Sequence, residues 1–335
     1  MENSRENLRL SLIIPVRNRP REVSFLLESL VAQSHKDFEV LLIEDGSRET
    51  SEAVYSKYRS QLKLAYLVQR HSGPGPARNL GASLARGTHF LFLETDCRLP
   101  ADLIARYLHW MTENPGFIFA GPPALGKNSR AFAKALHWVE TQSRHRNPLE
   151  LETFNLCIPA PDFHGLGGFR FLSPGEGIDL GIRARARGAE IRVLPELAIE
   201  RPPARNLITF FTQSFQFGRA RAVLQHWHPG STKLSHRVPA AVLLYSAFLL
   251  FLFISILLGG GFSVALLCLL ALPAGILLGR VAMQCFEATQ DAHVTRLAVL
   301  ATSVQLSGYG LGYLTESLLW GVRKIKAEET LPQRD

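Results

Sequence analysis

Between Val238 and Gly279 the chain has no charged side chain. That absence excludes an ordinary solvated surface there. Two apolar stretches of about 20 residues, the length a bilayer core needs, fit on either side of Gly259-Gly260-Gly261. They predict a helical hairpin of membrane spans at 238–258 and 262–279, with Lys233, Arg237 and Arg280 placing both ends in the cytoplasm. Acidic residues are missing from Arg201 to Arg237, where six basic ones occur beside Phe210, Phe211, Phe215 and Phe217. That pattern predicts an amphipathic juxtamembrane helix resting on an anionic lipid surface. Cysteine is scarce: Cys97, Cys157, Cys268 and Cys285 form neither a CxxC pair nor a zinc spacing, as expected of reduced thiols. Met1–Leu10 lacks a long apolar core, so no secretory signal is expected. Neither common phosphate loop is present. No G-x-x-x-x-G-K-[ST] occurs, and Gly73-Pro74-Gly75-Pro76 does not match G-x-G-x-x-G, which argues against P-loop, nicotinamide and flavin enzymes. The net charge of +8 is not gathered into a nucleic-acid reader, so no nucleic-acid partner is expected.

What is present, over the first hundred residues, is an alternation of apolar runs and helical patterns. Leu10–Val16, Phe38–Ile43, Leu62–Val68 and Phe90–Leu93 read as strands, with Pro20 opening a helix between the first two. This order predicts parallel βαβ units. Each run ends in polar or glycine-rich residues: Pro15–Asn18, Glu44–Ser47, His71–Asn79 and Glu94–Asp96. One such end is an ordinary turn, but four on one edge of a sheet form a ligand crevice. The last is the most informative, because Glu94 and Asp96 deliver two carboxylates one residue apart. Carboxylate oxygens suit a hard cation, Mg²⁺ or Mn²⁺, held jointly with the phosphates of a nucleotide diphosphate.

The segments Ile13-Ile14-Pro15-Val16-Arg17-Asn18-Arg19-Pro20, Glu44-Asp45-Gly46-Ser47, Ala77-Arg78-Asn79-Leu80-Gly81 and Phe92-Leu93-Glu94-Thr95-Asp96 resemble the motifs of family 2 (GT-A fold) glycosyltransferases. The similarity runs on through Asn155, Gly167-Gly168-Phe169 and Gly175-Glu176 to Pro195, then to a Gln213/Arg219 segment, covering about the first 220 residues. It implies a GT-A-like, mostly parallel α/β sheet and transfer of a sugar from a nucleotide-diphosphate sugar with inversion. It also implies roles. Asp45 and the backbone near Pro15 and Asn18 would meet the nucleotide, Arg78 the diphosphate and Asp96 the metal, with Glu94 as its support or as a ribose contact. Gln213 and Arg219 would lie over the acceptor. Three positions differ from the pattern: Glu44 and Glu94 replace aspartates, and Gly177 stands where the family carries its general base. Glu176, one residue away, is favoured as the base. Asp179 is the alternative, lying about 200° round a helix from Gly177. A histidine that often joins the metal site in the family is replaced by Glu200-Arg201.

The resulting expectation is a catalytic domain over 1–200, a basic juxtamembrane segment over 201–237, a membrane region over 238–320 and a polar tail over 321–335. A third stretch, 297–319, is ambiguous between spanning and interfacial, since Gln305, Glu316 and several glycines dilute it. Gly308 and Gly312 permit close helix packing. The function expected is metal-assisted glycosyl transfer to a lipid-linked or membrane-associated acceptor, at the inner or plasma membrane of a bacterium with the catalytic part cytoplasmic. The rival is a catalytically degenerate nucleotide-sugar-binding module that recruits a partner. A processive polymer synthase is disfavoured, because the Gln-x-x-Arg-Trp pattern is absent.

Overall fold

The computed structural model describes residues 9–146, 151–231, 233–259 and 263–329. The first eight residues of the polar N-terminal segment, Gly260 and Gly261 of the expected turn, and the end of the polar tail lie outside them. The chain divides into two units, Met1–Lys127 with Asn147–Pro202, and Asn128–Arg146 with Pro203–Asp335.

The first unit is built on a seven-stranded mixed sheet of order β3-β2-β1-β4-β7-β5-β8. Its strands are β1 (Leu10–Val16), β2 (Phe38–Asp45), β3 (Leu64–Gln69), β4 (His89–Leu93), β5 (Ile118–Ala120), β7 (Asn155–Pro159) and β8 (Ile191–Val193), while β6 (Pro123–Ala124) and β9 (Ile199–Glu200) form a separate parallel pair. β1, β2, β3 and β4 pair in parallel; β7 runs antiparallel to both β4 and β5. The expected βαβ half is therefore present and continues into a mixed half. The crossovers are α1 (Pro20–Val31), α2 (Glu52–Tyr58) and α3 (Pro74–Leu84), and α4 (Leu103–Glu113), α6 (Ala160–Gly165) and α7 (Glu176–Ala186) complete the unit.

Period-2 alternation sends the strand side chains into two cores. Leu12, Ile14, Val40, Leu42, Leu91 and Leu93 join one face with Val23, Leu26, Leu27 and Leu30 of α1. Ile13, Leu41, Ile43, Phe90 and Phe92 join the other, where Phe163 and Phe169 meet Phe92. With both faces covered, the central strands read as unbroken apolar runs, which is why their bounds are nearly those expected.

The second unit is helical: α5 (Ala131–Arg146), α8 (Leu207–Trp227), α9 (Val238–Leu257), α10 (Val264–Thr289) and α11 (Ala292–Glu329). Ala135, Leu136 and Val139 of α5 share a core with Phe210 of α8 and Val294, Ala298 and Ala301 of α11. The α5 segment, which the sequence reading leaves in the catalytic domain, thus falls in this unit. The structure also differs from the expected amphipathic helix at 206–227. On α8, Ser214, Gly218 and Ala222 are buried while Ile208 and Phe217 stay exposed. The buried residues also include Phe210, Arg221 and Leu224, and α11 lies close against the small ones. A Cβ on Gly218 would stand 2.1 Å from the Tyr309 carbonyl oxygen, and one on Gly312 2.0 Å from that of Phe215.

α9 and α10 are long and apolar enough to cross a membrane, and only 11% and 6% of their most apolar windows are buried. That exposure separates them from the core helices of a soluble protein. α10 continues past the expected end at 279 to Thr289, through Arg280. The ambiguous stretch 297–319 is the middle of α11 and does not meet the same length-and-hydropathy criterion.

Gly312→Leu should push α8 and α11 apart, because the obstacle is backbone. We expect a loss of about 1–3 kcal/mol or more, seen as a lower thermal-unfolding midpoint in detergent. An unchanged midpoint would contradict the close helix contact.

Candidate functional site

The carboxyl ends of β1, β2 and β4 bring three polar loops to one edge of the first unit. Asp45, the last residue of β2, has a side chain only 4% exposed. It accepts hydrogen bonds from Gln69 Nε2 (2.8 Å), the Ser72 N–H (2.8 Å) and the Gly73 N–H (2.9 Å), and it pairs with His71 Nδ1 at 2.9 Å. Burial alone would raise its pKa, yet these donors together hold it below the ordinary value. Glu44 beside it is buried and accepts from the Ser51 N–H, the Tyr66 hydroxyl and Ser47 Oγ. Asn18 takes a left-handed backbone and spends its side-chain oxygen on the N–H groups of Arg48 and Glu49, at 2.7 and 3.2 Å. Pro15, half-buried on β1, lies in register with Ile43. Glu44 and Asn18 therefore shape the loop in which Asp45 stands.

The expected acidic pair sits at the end of β4 in a chain of ion pairs. Arg78, 1% exposed on α3, donates through Nη1 to Glu176 Oε1 at 2.9 Å and through Nη2 to Glu94 Oε1 at 3.3 Å. The second Glu94 oxygen accepts from Arg201 Nη2 at 2.5 Å. Arg201 Nε also lies 3.6 Å from Asp96 Oδ1, and Arg19 Nη1 lies 3.5 Å from Asp96 Oδ2. Burial would raise the Glu94 pKa, but Arg201, Arg78 and Arg19 overcome that and lower it. Glu176 comes out the other way: its burial outweighs the pull of Arg78, and its pKa is raised. Arg201 arrives here because Arg98 and Glu200 exchange backbone hydrogen bonds of 2.9 and 3.0 Å in an antiparallel bridge. Its guanidinium also sits 4.8 Å from the centre of the Phe154 ring.

The remaining expected residues have other surroundings within their own units. Asp179 is fully buried, bonded by Arg183 Nη2 (2.6 Å) and Nε (2.8 Å), with Arg170 at 3.5 Å. Gly177 faces backbone: a Cβ there would stand 2.5 Å from the Leu151 carbonyl oxygen. Asn155 is buried, accepts from the Tyr107 hydroxyl and donates to the Leu197 carbonyl oxygen, which ties β7 to α4 and to the turn at 195–197. Gln213 is exposed on α8, and Arg219 pairs with the buried Glu316 of α11 at 2.7 Å, both within the helical unit.

Residues 11–172 match the family model for Glycosyl transferase family 2. An uncharacterized glycosyltransferase of Rickettsia felis is 38% identical over 112 residues, which cover 33% of this chain and 18% of that protein. The poly(ribitol-phosphate) beta-glucosyltransferase of Bacillus spizizenii is 28% identical over 134 residues, covering 38% and 21%. The mannosyltransferase PcManGT of Pyrobaculum calidifontis, solved with GDP-Man and Mn²⁺, superposes with a TM-score of 0.66 at 14% identity, covering 92% of this chain and 87% of that one. Residues 11–172 are a family 2 glycosyltransferase domain. The fold around it is GT-A-like. The match spans about a fifth of the length of those two curated relatives.

The donor set bears on what this glycosyltransferase domain could hold. Among the described residues, no group of three or more His, Cys, Asp or Glu side chains surrounds a common point. Glu94 has both oxygens engaged by guanidiniums, so Asp96, paired only at 3.5 and 3.6 Å, is the carboxylate left for a cation. One carboxylate with substrate phosphates is a donor set that Mg²⁺ accepts, and on those terms the residues fit. Arg201 is the member of the cluster that the sequence reading does not assign; its signal was an arginine at the end of the strand following Pro195.

Arg78→Leu leaves Glu94 and Glu176 without their shared buried cation. Breaking one side of such a pair costs about 3–5 kcal/mol, so the thermal midpoint should fall sharply. Adding Glu176→Gln to Arg78→Leu should recover part of that loss. Strictly additive losses would mean the pair is not coupled.

Proposed function

We propose that this protein is a membrane-anchored, inverting glycosyltransferase. It moves a sugar from a nucleotide-diphosphate sugar to a hydroxyl on a lipid-linked or membrane-associated acceptor. The observation that carries the proposal is the buried Arg78, which ties Glu176 at the start of α7 to Glu94 at the end of β4, with Asp96 adjacent. A donor diphosphate at that strand edge would lie among guanidiniums, with a carboxylate on α7 on the acceptor side. The acceptor oxygen bonds to the anomeric carbon as the bond from that carbon to the diphosphate oxygen breaks. The electron pair leaves with the nucleoside diphosphate, and the acceptor proton passes to Glu176. Asp45, held by four donors, is the nucleobase contact we favour, beside the backbone at Pro15.

Glu176 is preferred to Asp179 as the base. Asp179 is fully buried with one oxygen already taking two donors from Arg183, while burial raises the Glu176 pKa toward the range in which a base works well. Mg²⁺ or Mn²⁺ on Asp96 and the diphosphate would offset charge developing on the leaving group. Membrane anchoring rests on the exposed, apolar α9 and α10. An acceptor at the bilayer surface follows from that anchoring.

A second reading is favoured by Gly177. With no side chain at the family's base position, and backbone where a Cβ would go, the domain could bind a nucleotide-sugar without turning it over. The two readings part on one experiment: nucleoside diphosphate release from UDP-, GDP- and dTDP-sugars by the purified chain, with membrane lipid extract as acceptor source. Turnover with a donor, abolished by Asp96→Ala and reduced about 10²–10⁴-fold by Glu176→Gln, is expected. Donor binding without turnover under any acceptor condition would establish the binding module instead.

The pH profile tests the base separately. A general base works ionised, and burial lifts the Glu176 pKa above the ordinary 4.5. The acid limb of kcat/KM should therefore fall through that raised pKa as pH drops, at a higher pH than an ordinary glutamate would give. Glu176→Gln should remove the limb. A limb that survives in Glu176→Gln assigns the base to another group.

A further inference from the structure

We propose that Arg201 is a diphosphate-binding residue whose guanidinium does much of the work of a divalent cation, so that nucleotide binding outlasts removal of metal. The inference rests on the donor reading above and concerns the same strand edge.

Three features of the site carry it. First, the acidic pair is already neutralised by protein: Glu94 by Arg201 and Arg78, and Asp96 more loosely by Arg19 and Arg201. Carboxylates paired in this way attract a free cation weakly, because its charge must displace a guanidinium already in place. Second, the arginines have hydrogen-bonding capacity left over. Among the described residues, the buried Nε groups of Arg78 and Arg201 find no hydrogen-bond partner. A buried N–H without an acceptor is costly, and the oxygens of a diphosphate are acceptors that guanidinium forks match in pairs. Third, Arg201 is fixed in place. The Arg98–Glu200 bridge sets its backbone and the Phe154 ring lies under its guanidinium, so little ordering is left to do when the donor arrives.

Arg201 stands where the family resemblance leads one to expect a histidine that joins the metal site. A neutral imidazole there needs the metal to supply positive charge, whereas a guanidinium brings its own. Asp96 remains able to take a cation once a diphosphate is bound, so metal can add to binding without being required for it.

The test is calorimetric titration of the full-length chain in detergent with UDP, GDP and dTDP, each with Mn²⁺ and with EDTA. For the nucleotide that binds, the wild-type Kd should differ by no more than about threefold between the two conditions. Arg201→Gln keeps an amide that can bond Glu94 but loses the charge. It should weaken binding in EDTA about tenfold or more, with part of the loss recovered by Mn²⁺. Arg201→Lys, which keeps the charge, should lie between the two and guards against a folding defect in the glutamine variant, with the thermal midpoint recorded for each. Wild-type binding that disappears in EDTA overturns the inference while leaving the donor reading intact. Arg201→Gln binding that matches wild type in EDTA does the same. No binding of any of the three nucleotides, with or without Mn²⁺, removes the donor reading and this inference with it.

Discussion

The guanidinium of Arg78 is the interaction on which the rest of the site depends. It is almost completely withdrawn from water, and a buried cation is tolerable only when its partners are close and hydrogen-bonded. Those partners come from distant parts of the chain, Glu94 after β4 and Glu176 at the start of α7. Neither carboxylate can relocate without stranding the arginine. The cluster is consequently a geometric constraint as much as a source of stability: it sets the distance between the end of the parallel half-sheet and the helix that carries the proposed base. The opposite pKa directions of Glu94 and Glu176 follow from it. Glu94 is shared by two guanidiniums, which overcome its burial; Glu176 has one, which does not.

The carboxylates of this edge divide into those that build and those that remain for chemistry. Glu44 and Asp179 are consumed by local donors, the first by the loop from Ser47 to Ser51 and the second by Arg183. Asp45 receives four donors from the β3–α3 connection, which places its loop firmly. Among the described residues, Asp96 is held by long ion pairs and a 4.0 Å contact from the Cys97 thiol. A motif of acidic residues at strand ends therefore covers unequal members, and hydrogen-bond geometry is what ranks them.

The sheet was legible in the sequence because its central strands are buried on both faces, so each is an apolar run that stops where the polar edge begins. Leu10–Val16 has the bounds expected of it, and Arg78 pairs with Glu94 at the end of β4. Three features were not legible, each for a physical reason. Arg201 reaches Glu94 through a bridge between residues 98 and 200, and nothing in its own neighbourhood encodes that pairing. The place of α5 in the helical unit depends on α8 and α11, far along the chain. On α8 the aromatic residues suggested an amphipathic helix, but Phe217 stays exposed while Ser214, Gly218 and Ala222 turn inward with Phe210, where backbone approaches closely.

That last point bears on the membrane proposal. α8 and α11 pack through Gly218, Gly308 and Gly312, where backbone meets backbone and hydrogen bonds and dispersion carry the contact; the Arg219–Glu316 pair lies on the same seam. Burying the Glu316 carboxylate would be costly without a cationic partner, and the partly exposed Arg219 stands 2.7 Å from it. α9 and α10 are different. They present Leu250, Phe251, Leu257, Leu269 and Ile276 outward, each more than half exposed. Water solvates so continuous an apolar surface poorly, and among the described residues no helix of this unit covers it. An acyl-chain environment removes that penalty without asking for any partner helix. The glycine seam then needs no hydrophobic driving force of its own, which is the condition under which small-residue packing is the rule.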